Sequence, residues 1–371
     1  MPWIEAPAVY EPFVSPLFLP WRELTFRCEF DREVHVPVQE GGTPGTLLTG
    51  LWRGLLLARA CEESPHRGAP AAALREVIGA RDGLDFPCCE GDFGCLHPGT
   101  CVAGALHRLR CAWQPGRVLP PVVRLSAPLL WEDAPVRSWE LVVSVLGRGP
   151  LRHLERVVEL VRELGQVGLR VRGQVEGFSV EGPLAGPEAT WIGAGRGGDD
   201  DRAVAAAGNR LWIPETSQRL LLAFATPLLL PPRTRSDDAT GEVRRLFERR
   251  TGLDLSQLLG NLAFDLCALD LEDRPPETGA RVANRRALCE AARVFVAEAA
   301  GELTVLSAQL GGVDLGRRAS RSGAGTFSLQ GVTGFVVVRC PGPLVPWVRA
   351  MSHWRAGQLG SKGFGEVQVW G

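Results

Sequence analysis

At 371 residues the chain is long enough for two medium domains or one large one. Its 45% hydrophobic and 22% charged content excludes disorder for most of the length. A formal net charge of −1 excludes a global field that would gather nucleic acid, so an anionic partner has to be held by a local patch.

The basic residues are almost all arginine, and Lys362 is the only lysine. The opening MPWIEAPAVYEPF is acidic and broken by proline, without the basic start or apolar core of an export signal. LLLAFATPLLLPP (220–232) is the nearest approach to a membrane span, but it is shorter than the roughly 18–20 residues needed and carries Thr-Pro in its middle. Ten cysteines without an export signal read as reduced thiols of a cytoplasmic protein rather than a disulfide framework.

After a proline-rich entry, ELTFRCEF (23–30) has strand composition. GGTPG (41–45) is turn-like and leads into TLLTGLWRGLLLARACEE, which places Leu47, Leu51, Leu55 and Leu56 on one helical face. Residues 62–118 are rich in Pro, Gly and Cys and read as an insertion. PVVRLSAPLLW (121–131) and SWELVVSVLG (138–147) are strand-like. LRHLERVVELVRELGQVG (151–168) is an amphipathic helix with Leu154, Val157, Val158, Val161 and Leu164 as its stripe, ended by Gly165 or Gly168. LRVRGQVEGFSV (169–180) alternates like a further strand. Strand, helix, strand, strand, helix, strand is the ferredoxin-like order.

The glycine-rich, charged stretch 185–209 reads as a linker or loop, after which the pattern begins again. RLLLAFATPLLL (219–230) is a strand, 241–271 a helical hairpin or bent helix, and 285–300 another helix. Residues 302–312 and 325–340 are strands, 343–357 is helical, and a glycine loop leads into a final strand. The expected class is therefore α+β, with two ferredoxin-like domains in tandem. The first spans 20–184 and contains the 62–118 insertion; the second spans 210–371.

The loop GQLGSKGFGEV puts Gly357, Gly360, Gly363 and Gly365 around Lys362. Successive backbone N–H groups exposed by glycines make an anion-binding concavity, and a lysine adds a point charge. The pattern is neither a Walker loop nor a dinucleotide loop, because it follows a helix and opens a strand. An RNA backbone suits that context; a tight turn with packing duties only is the alternative. Arg317, Arg318 and Arg321 in GRRASRSG are further candidate phosphate contacts, or members of a solvated loop.

In chain order, PGTLLTGLWRGLLL, the stretch from LVVSVLGRGPLRHL to EGFSV, RLLLAFATPLLL, DLGRRASRSGAGTFSLQGVTGFVVV and GQLGSKGFGEVQV together resemble the CRISPR repeat-RNA processing endoribonucleases of the RAMP superfamily. The resemblance covers most of 20–371. It implies tandem ferredoxin-like domains, binding of precursor CRISPR RNA, partnership with other CRISPR subunits, and metal-independent cleavage within the repeat. Attack by the ribose 2′-OH would leave a 2′,3′-cyclic phosphate. A non-catalytic RNA-binding subunit of a CRISPR ribonucleoprotein is the alternative. A third class, a zinc-stabilised protein whose loop holds another phosphate ligand, also fits the residues.

Such cleavage needs a base, an acid and a cation near the phosphorane, and histidine suits the proton work because it titrates near neutrality. The resemblance implies a histidine within or just after the first helix. That helix contains none, and the nearest are His66 just after it and His35 just before it. His66, with Arg67 beside it as phosphate partner, is the favoured catalytic candidate; His35 and His353, which borders the glycine loop, are the others. His97, His107 and His153 carry no argument of their own, and Tyr10, the single tyrosine, lies in the entry segment. Cys88, Cys89, Cys95 and Cys101 fall within one short stretch with His97 and are candidate ligands for a structural zinc. No C-x-x-C pair occurs among them, and free thiols are the alternative.

Overall fold

In the computed structural model the described residues are 19–36, 44–61, 64–79, 101–106, 110–111, 114–119, 121–132, 134–184, 190–191, 217–229, 254–273, 282–319, 326–353 and 365–371. They fall into two compact units, one spanning Pro20–Thr190 and the other most of Trp191–Gly371.

The first unit opens with β1 (Pro20–His35), α1 (Pro44–Ala60), α2 (Ala71–Gly79) and α3 (Val102–Leu106). A short hairpin of β2 (Arg110–Cys111) and β3 (Gln114–Val118) precedes β4 (Val123–Ser126) and β5 (Pro135–Leu146). Then come α4 (Arg148–Leu151), α5 (Leu154–Val167), β6 (Leu169–Val171), β7 (Gln174–Glu176), β8 (Phe178–Glu181) and β9 (Thr190–Trp191).

The main sheet runs β4-β5-β1-β8. β1 is central and antiparallel to both neighbours, with Leu24 opposite Val143, Phe26 opposite Leu141 and Phe30 opposite Phe178. The first strand thus lies between the third and the fourth, with the second outside the third, and a helix crosses over after the first and after the third. That is the ferredoxin-like wiring, and both crossovers lie over the buried face. Alternation in β1 and β5 sends Leu24, Phe26, Cys28 and Phe30, with Trp139, Leu141 and Val143, into one core. Phe30, Trp139 and Phe178 meet there with ring centroids 5.2–5.9 Å apart, a spacing at which aromatic pairs add to simple burial.

α5 follows its sequence stripe: Val157, Leu160, Val161 and Leu164 are all buried. Its two glycines divide the work. Gly168 ends the helix at φ +80°, whereas Gly165 lies inside it, where a Cβ would stand 2.0 Å from the Phe178 carbonyl oxygen. Gly165 therefore lets α5 close onto β8. Residues 169–180 form two strands and a turn before β8, not the single strand that alternation predicts. Arg172 and Gly173, at φ +48° and +83°, make the two-residue reversal between β6 and β7.

The expected insertion, 62–118, joins the unit wherever it is described. Leu74 of α2 and Ala103 and Leu106 of α3 are buried, and Arg75 Nε donates to the Gln166 carbonyl of α5 at 3.0 Å. α1 is surrounded more fully than a one-face helix: Leu48, Leu51, Trp52, Leu55, Leu56, Leu57 and Ala58 are all buried, while Leu47 is only half-buried.

The second unit contains β10 (Gln218–Leu229), α6 (Leu255–Asp273), α7 (Val282–Ala300), β11 (Thr304–Ala319), β12 (Thr326–Cys340), α8 (Val345–His353) and β13 (Val367–Trp370). Its sheet runs β11-β12-β10-β13, the same wiring again, with the helical pair α6–α7 as the first crossover and α8 as the second. Asp254 caps α6 by accepting the Gln257 N–H at 3.0 Å. Gly260 brings α6 against α7, where a Cβ would meet the Arg293 carbonyl oxygen at 3.0 Å. No helix among the described residues is long and apolar enough to cross a membrane, and Cys28, Cys61, Cys101, Cys267, Cys289 and Cys340 are free thiols.

Candidate functional site

In the first unit the favoured histidine sits on a built turn. α1 ends at Ala60, and Pro65 lacks the N–H a continuing helix would need. Ser64 N–H donates to Cys61 O at 3.2 Å, Arg67 N–H to Ser64 O at 3.4 Å and Ala69 N–H to His66 O at 3.0 Å. Ser64 Oγ accepts the His66 N–H at 3.2 Å, a side-chain turn that fits serine before Pro-X. Pro65 occupies the second position of the 64–67 turn, where its fixed φ is favoured.

Arg59 holds this turn in place. Its Nη1 donates to the carbonyls of His66 at 3.3 Å and Arg67 at 2.9 Å, while its Nε donates to Glu163 Oε1 on α5 at 2.7 Å and Nη2 pairs with the same oxygen. Both side chains are largely buried, at 12% and 20% exposed, so the pair feels less screening than a surface bridge. The Arg59 carbonyl in turn accepts from Arg156 Nη2 at 3.0 Å. The result is a half-buried His66 and an exposed Arg67 on a loop whose backbone is clamped from beneath. Among the described residues nothing bonds to the His66 imidazole.

His35 is not brought to this turn. It closes β1 opposite Pro135, where β5 begins, and its Nδ1 lies 3.4 Å from Arg172 Nη2. The end of α1 is bonded to Arg156 in the first turns of α5. His153 sits just before α5, its N–H donating to Pro150 O and its carbonyl accepting the Val157 N–H, both at 3.0 Å.

In the second unit the structure shows how the glycine loop leaves. Gly365 adopts φ +72°, and the next residue, Glu366, is buried. The Glu366 N–H donates to Thr226 Oγ1 at 2.8 Å, and its carbonyl accepts the Ala225 N–H at 2.9 Å. β10 falls out of register with β12 between Phe224 and Leu228, around Pro227, which has no N–H to give the ladder. The Thr-Pro interruption in LLLAFATPLLL is thus a bulge that frees Thr226 to grip the end of the loop. Thr226, Glu366, Ser64, Arg59 and Glu163 are site residues the sequence reading missed. Serine before Pro and β-branched threonine before Pro were the local signals that pointed to two of them.

Gly357, Gly360, Lys362, Gly363, Arg321, Cys88, Cys89 and Cys95 lie outside the described residues, as does the side chain of His353, the last residue of α8. Arg317 and Arg318 lie on β11 opposite Ser328 and Phe327, just past an irregularity in the ladder, and their side chains are also outside the description. Cys101 is a buried free thiol before α3. Among the described residues no three His, Cys, Asp or Glu side chains converge as a metal site would require.

No family model matches the chain, and no curated protein matches it. Solved structures do. The chain is similar in structure to Cas6 and RAMP proteins. Against a Cas6 product complex the identity is 14% and the TM-score 0.42, covering 95% of this chain and all of that one. Against a partial Cas6-RT-Cas1–Cas2 complex the values are 11% and 0.39, covering 96% of this chain but 47% of the other. Against a RAMP protein binding different RNA substrates they are 8% and 0.38, over 95% of this chain and all of that one.

Proposed function

We propose that this chain binds CRISPR repeat RNA and cleaves it within the repeat by attack of a ribose 2′-OH on the adjacent phosphate. The observation that supports this reading is the grip of Thr226 on Glu366, which anchors a glycine- and lysine-bearing loop at the entrance to the last strand of the second ferredoxin-like unit. The N–H groups of Gly357, Gly360, Gly363 and Gly365, with Lys362, hold the RNA backbone, helped by Arg317, Arg318 and Arg321.

His66 takes the proton from the 2′-oxygen, Arg67 neutralises the crowded phosphorane, and the P–O5′ bond breaks as the 2′-O–P bond forms. The departing 5′-oxygen takes up a proton from water. The nucleophile is the substrate's own hydroxyl, so the residues need supply only proton transfer and charge. The products are a 2′,3′-cyclic phosphate and a 5′-OH.

A second reading, a non-catalytic RNA-binding subunit, is favoured by the absence of any histidine in α1 and of any described partner orienting the His66 ring. A catalytic imidazole is ordinarily oriented by a hydrogen bond to its other nitrogen. End-labelled repeat RNA incubated with the protein in excess EDTA decides between them. A single cut with a cyclic-phosphate end, lost in His66→Ala while binding persists, supports the nuclease. Binding without a cut establishes the subunit, and absence of binding removes both.

A further inference from the structure

The second unit's sheet has a helix-covered face and an open one. On the covered face Leu220, Leu222 and Phe224 of β10 and Val336 and Val338 of β12 are all buried. The register puts the intervening residues on the other side. There Arg219 stands directly opposite Arg339, and both are exposed. One row further, Trp370 of β13 lies opposite Leu221, which lies opposite Val337. In the third row Gln368 faces Ala223, which faces Phe335. β11 extends the rows with exposed Thr304, Ser307 and Gln309.

Two features of this face are unexpected in a merely structural sheet. Like charges directly opposite one another across an antiparallel pair destabilise it. Yet Arg219 and Arg339 have no hydrogen bond or ion pair among the described residues, and no carboxylate occupies these three rows. Beside them Trp370 is 49% exposed and Phe335 is half-buried, on the last and the third strands of the unit. Exposed aromatics on a four-stranded sheet, flanked by unpaired guanidinium groups, match the chemistry of unstacked bases joined by phosphates.

We propose that this open face holds a single-stranded segment of RNA, with bases stacked on Phe335 and Trp370 and one backbone phosphate held by each of Arg219 and Arg339. The glutamines and hydroxyls in the flanking rows then meet base edges or ribose. This rests on the RNA reading above but assigns residues other than those of the glycine loop and the His66 turn.

The test uses the full chain and a fluorescein-labelled U12 oligonucleotide, read by anisotropy beside labelled repeat RNA. Stacking worth about 1–3 kcal/mol per base predicts that Phe335→Ala and Trp370→Ala each weaken U12 binding about 5- to 150-fold. Arg219→Gln and Arg339→Gln each lower the salt slope by about 0.7, with melting temperature unchanged or raised because the like-charge pair is gone. Val294→Ala, at an exposed position on α7, is the control and binds as the parent does. 4-Thiouridine in U12 crosslinks to the peptides carrying Phe335 or Trp370. If the parent binds repeat RNA but not U12, or if the four variants bind U12 as the parent does, the face is not an RNA platform and the repeat-binding reading stands. If Trp370→Ala instead converts a dimer to a monomer in sedimentation, with no change in U12 binding, the face joins two copies and the proposal falls.

Discussion

Arg59 sets the position of a histidine it does not touch through the side chain. Its guanidinium links two backbone carbonyls of the 64–67 turn to a carboxylate on α5, a geometry that a planar fork of donors satisfies and a single ammonium does not. Removing one partner of a largely buried pair leaves the other charge without its counterion. Arg59→Ala is therefore expected to lose about 3 kcal/mol in urea unfolding. Misplacement of a reacting group by about 1 Å costs on the order of 100-fold in rate, so cleavage should fall well beyond what the lost stability accounts for. Arg59→Lys keeps a charge near Glu163 but cannot span both carbonyls; it should recover stability more fully than cleavage. If both variants cut at the parental rate under conditions where they are folded, Arg59 is a structural residue only. Thr226 plays the corresponding part in the second unit, where a hydroxyl, not a charge, fixes the chain leaving the glycine loop.

Among the elements, those whose periodicity was uninterrupted were legible in the sequence. α5 reads directly from its stripe because one face meets the sheet and the other meets solvent. β1, β5 and β12 read from alternation for the same reason. Interruptions were harder to read. Arg172-Gly173 folds 169–176 into a hairpin because two consecutive residues take positive φ, and arginine at such a position gives no warning. Residues 219–230 read as one strand, and nothing in that reading shows that Thr226-Pro227 is the bulge that builds the site. α1 was read with one apolar face, but α2, α3 and α5 close around it, and burial from several sides cannot be inferred from a single helix's pattern.

The strands also carry the chain's clearest ionisation effect. Burial pushes the Cys28 thiol on β1 from the ordinary 9.0 up to about 12. Burial does the same for Cys340 at the end of β12, also to about 12, with Arg349 pulling weakly the other way. Because the folded chain favours the protonated thiol, this contribution is complete below pH 9 and is lost as pH rises from 9 toward 12. The sequence has a single tyrosine and a single lysine, so thiols are the main groups of that window, and the Cys28→Ala comparison isolates the part due to Cys28. Urea midpoints should hold between pH 7 and 8.5 and fall by pH 10.5, with the fall reduced in Cys28→Ala. Both thiols should also resist a thiol reagent at pH 8 until the chain unfolds. Rapid labelling of Cys28 in the folded chain would show that the core around β1 opens.

At the scale of the whole molecule, the same strand order occurs twice, and charge is close to balanced over the chain. A protein with net charge −1 cannot draw RNA by a long-range field, so affinity has to come from a few cations placed by the fold. Those assigned to RNA are Arg67, Arg317, Arg318, Arg321 and Lys362, with Arg219 and Arg339 added by the open sheet face. Single-stranded contacts release about 0.7 counterion per neutralised phosphate, so full use of these residues predicts a log–log salt slope of about −5 for repeat RNA. The slope is measured by titrating affinity from low to high potassium chloride. Lys362→Gln should make it shallower by about 0.7, since the loop loses its one full charge but keeps its N–H groups. A slope near −5 that Lys362→Gln leaves untouched would move the phosphates away from the glycine loop. A slope near zero would mean that neutral contacts dominate, and the arginines assigned here would then have no part in holding the RNA backbone.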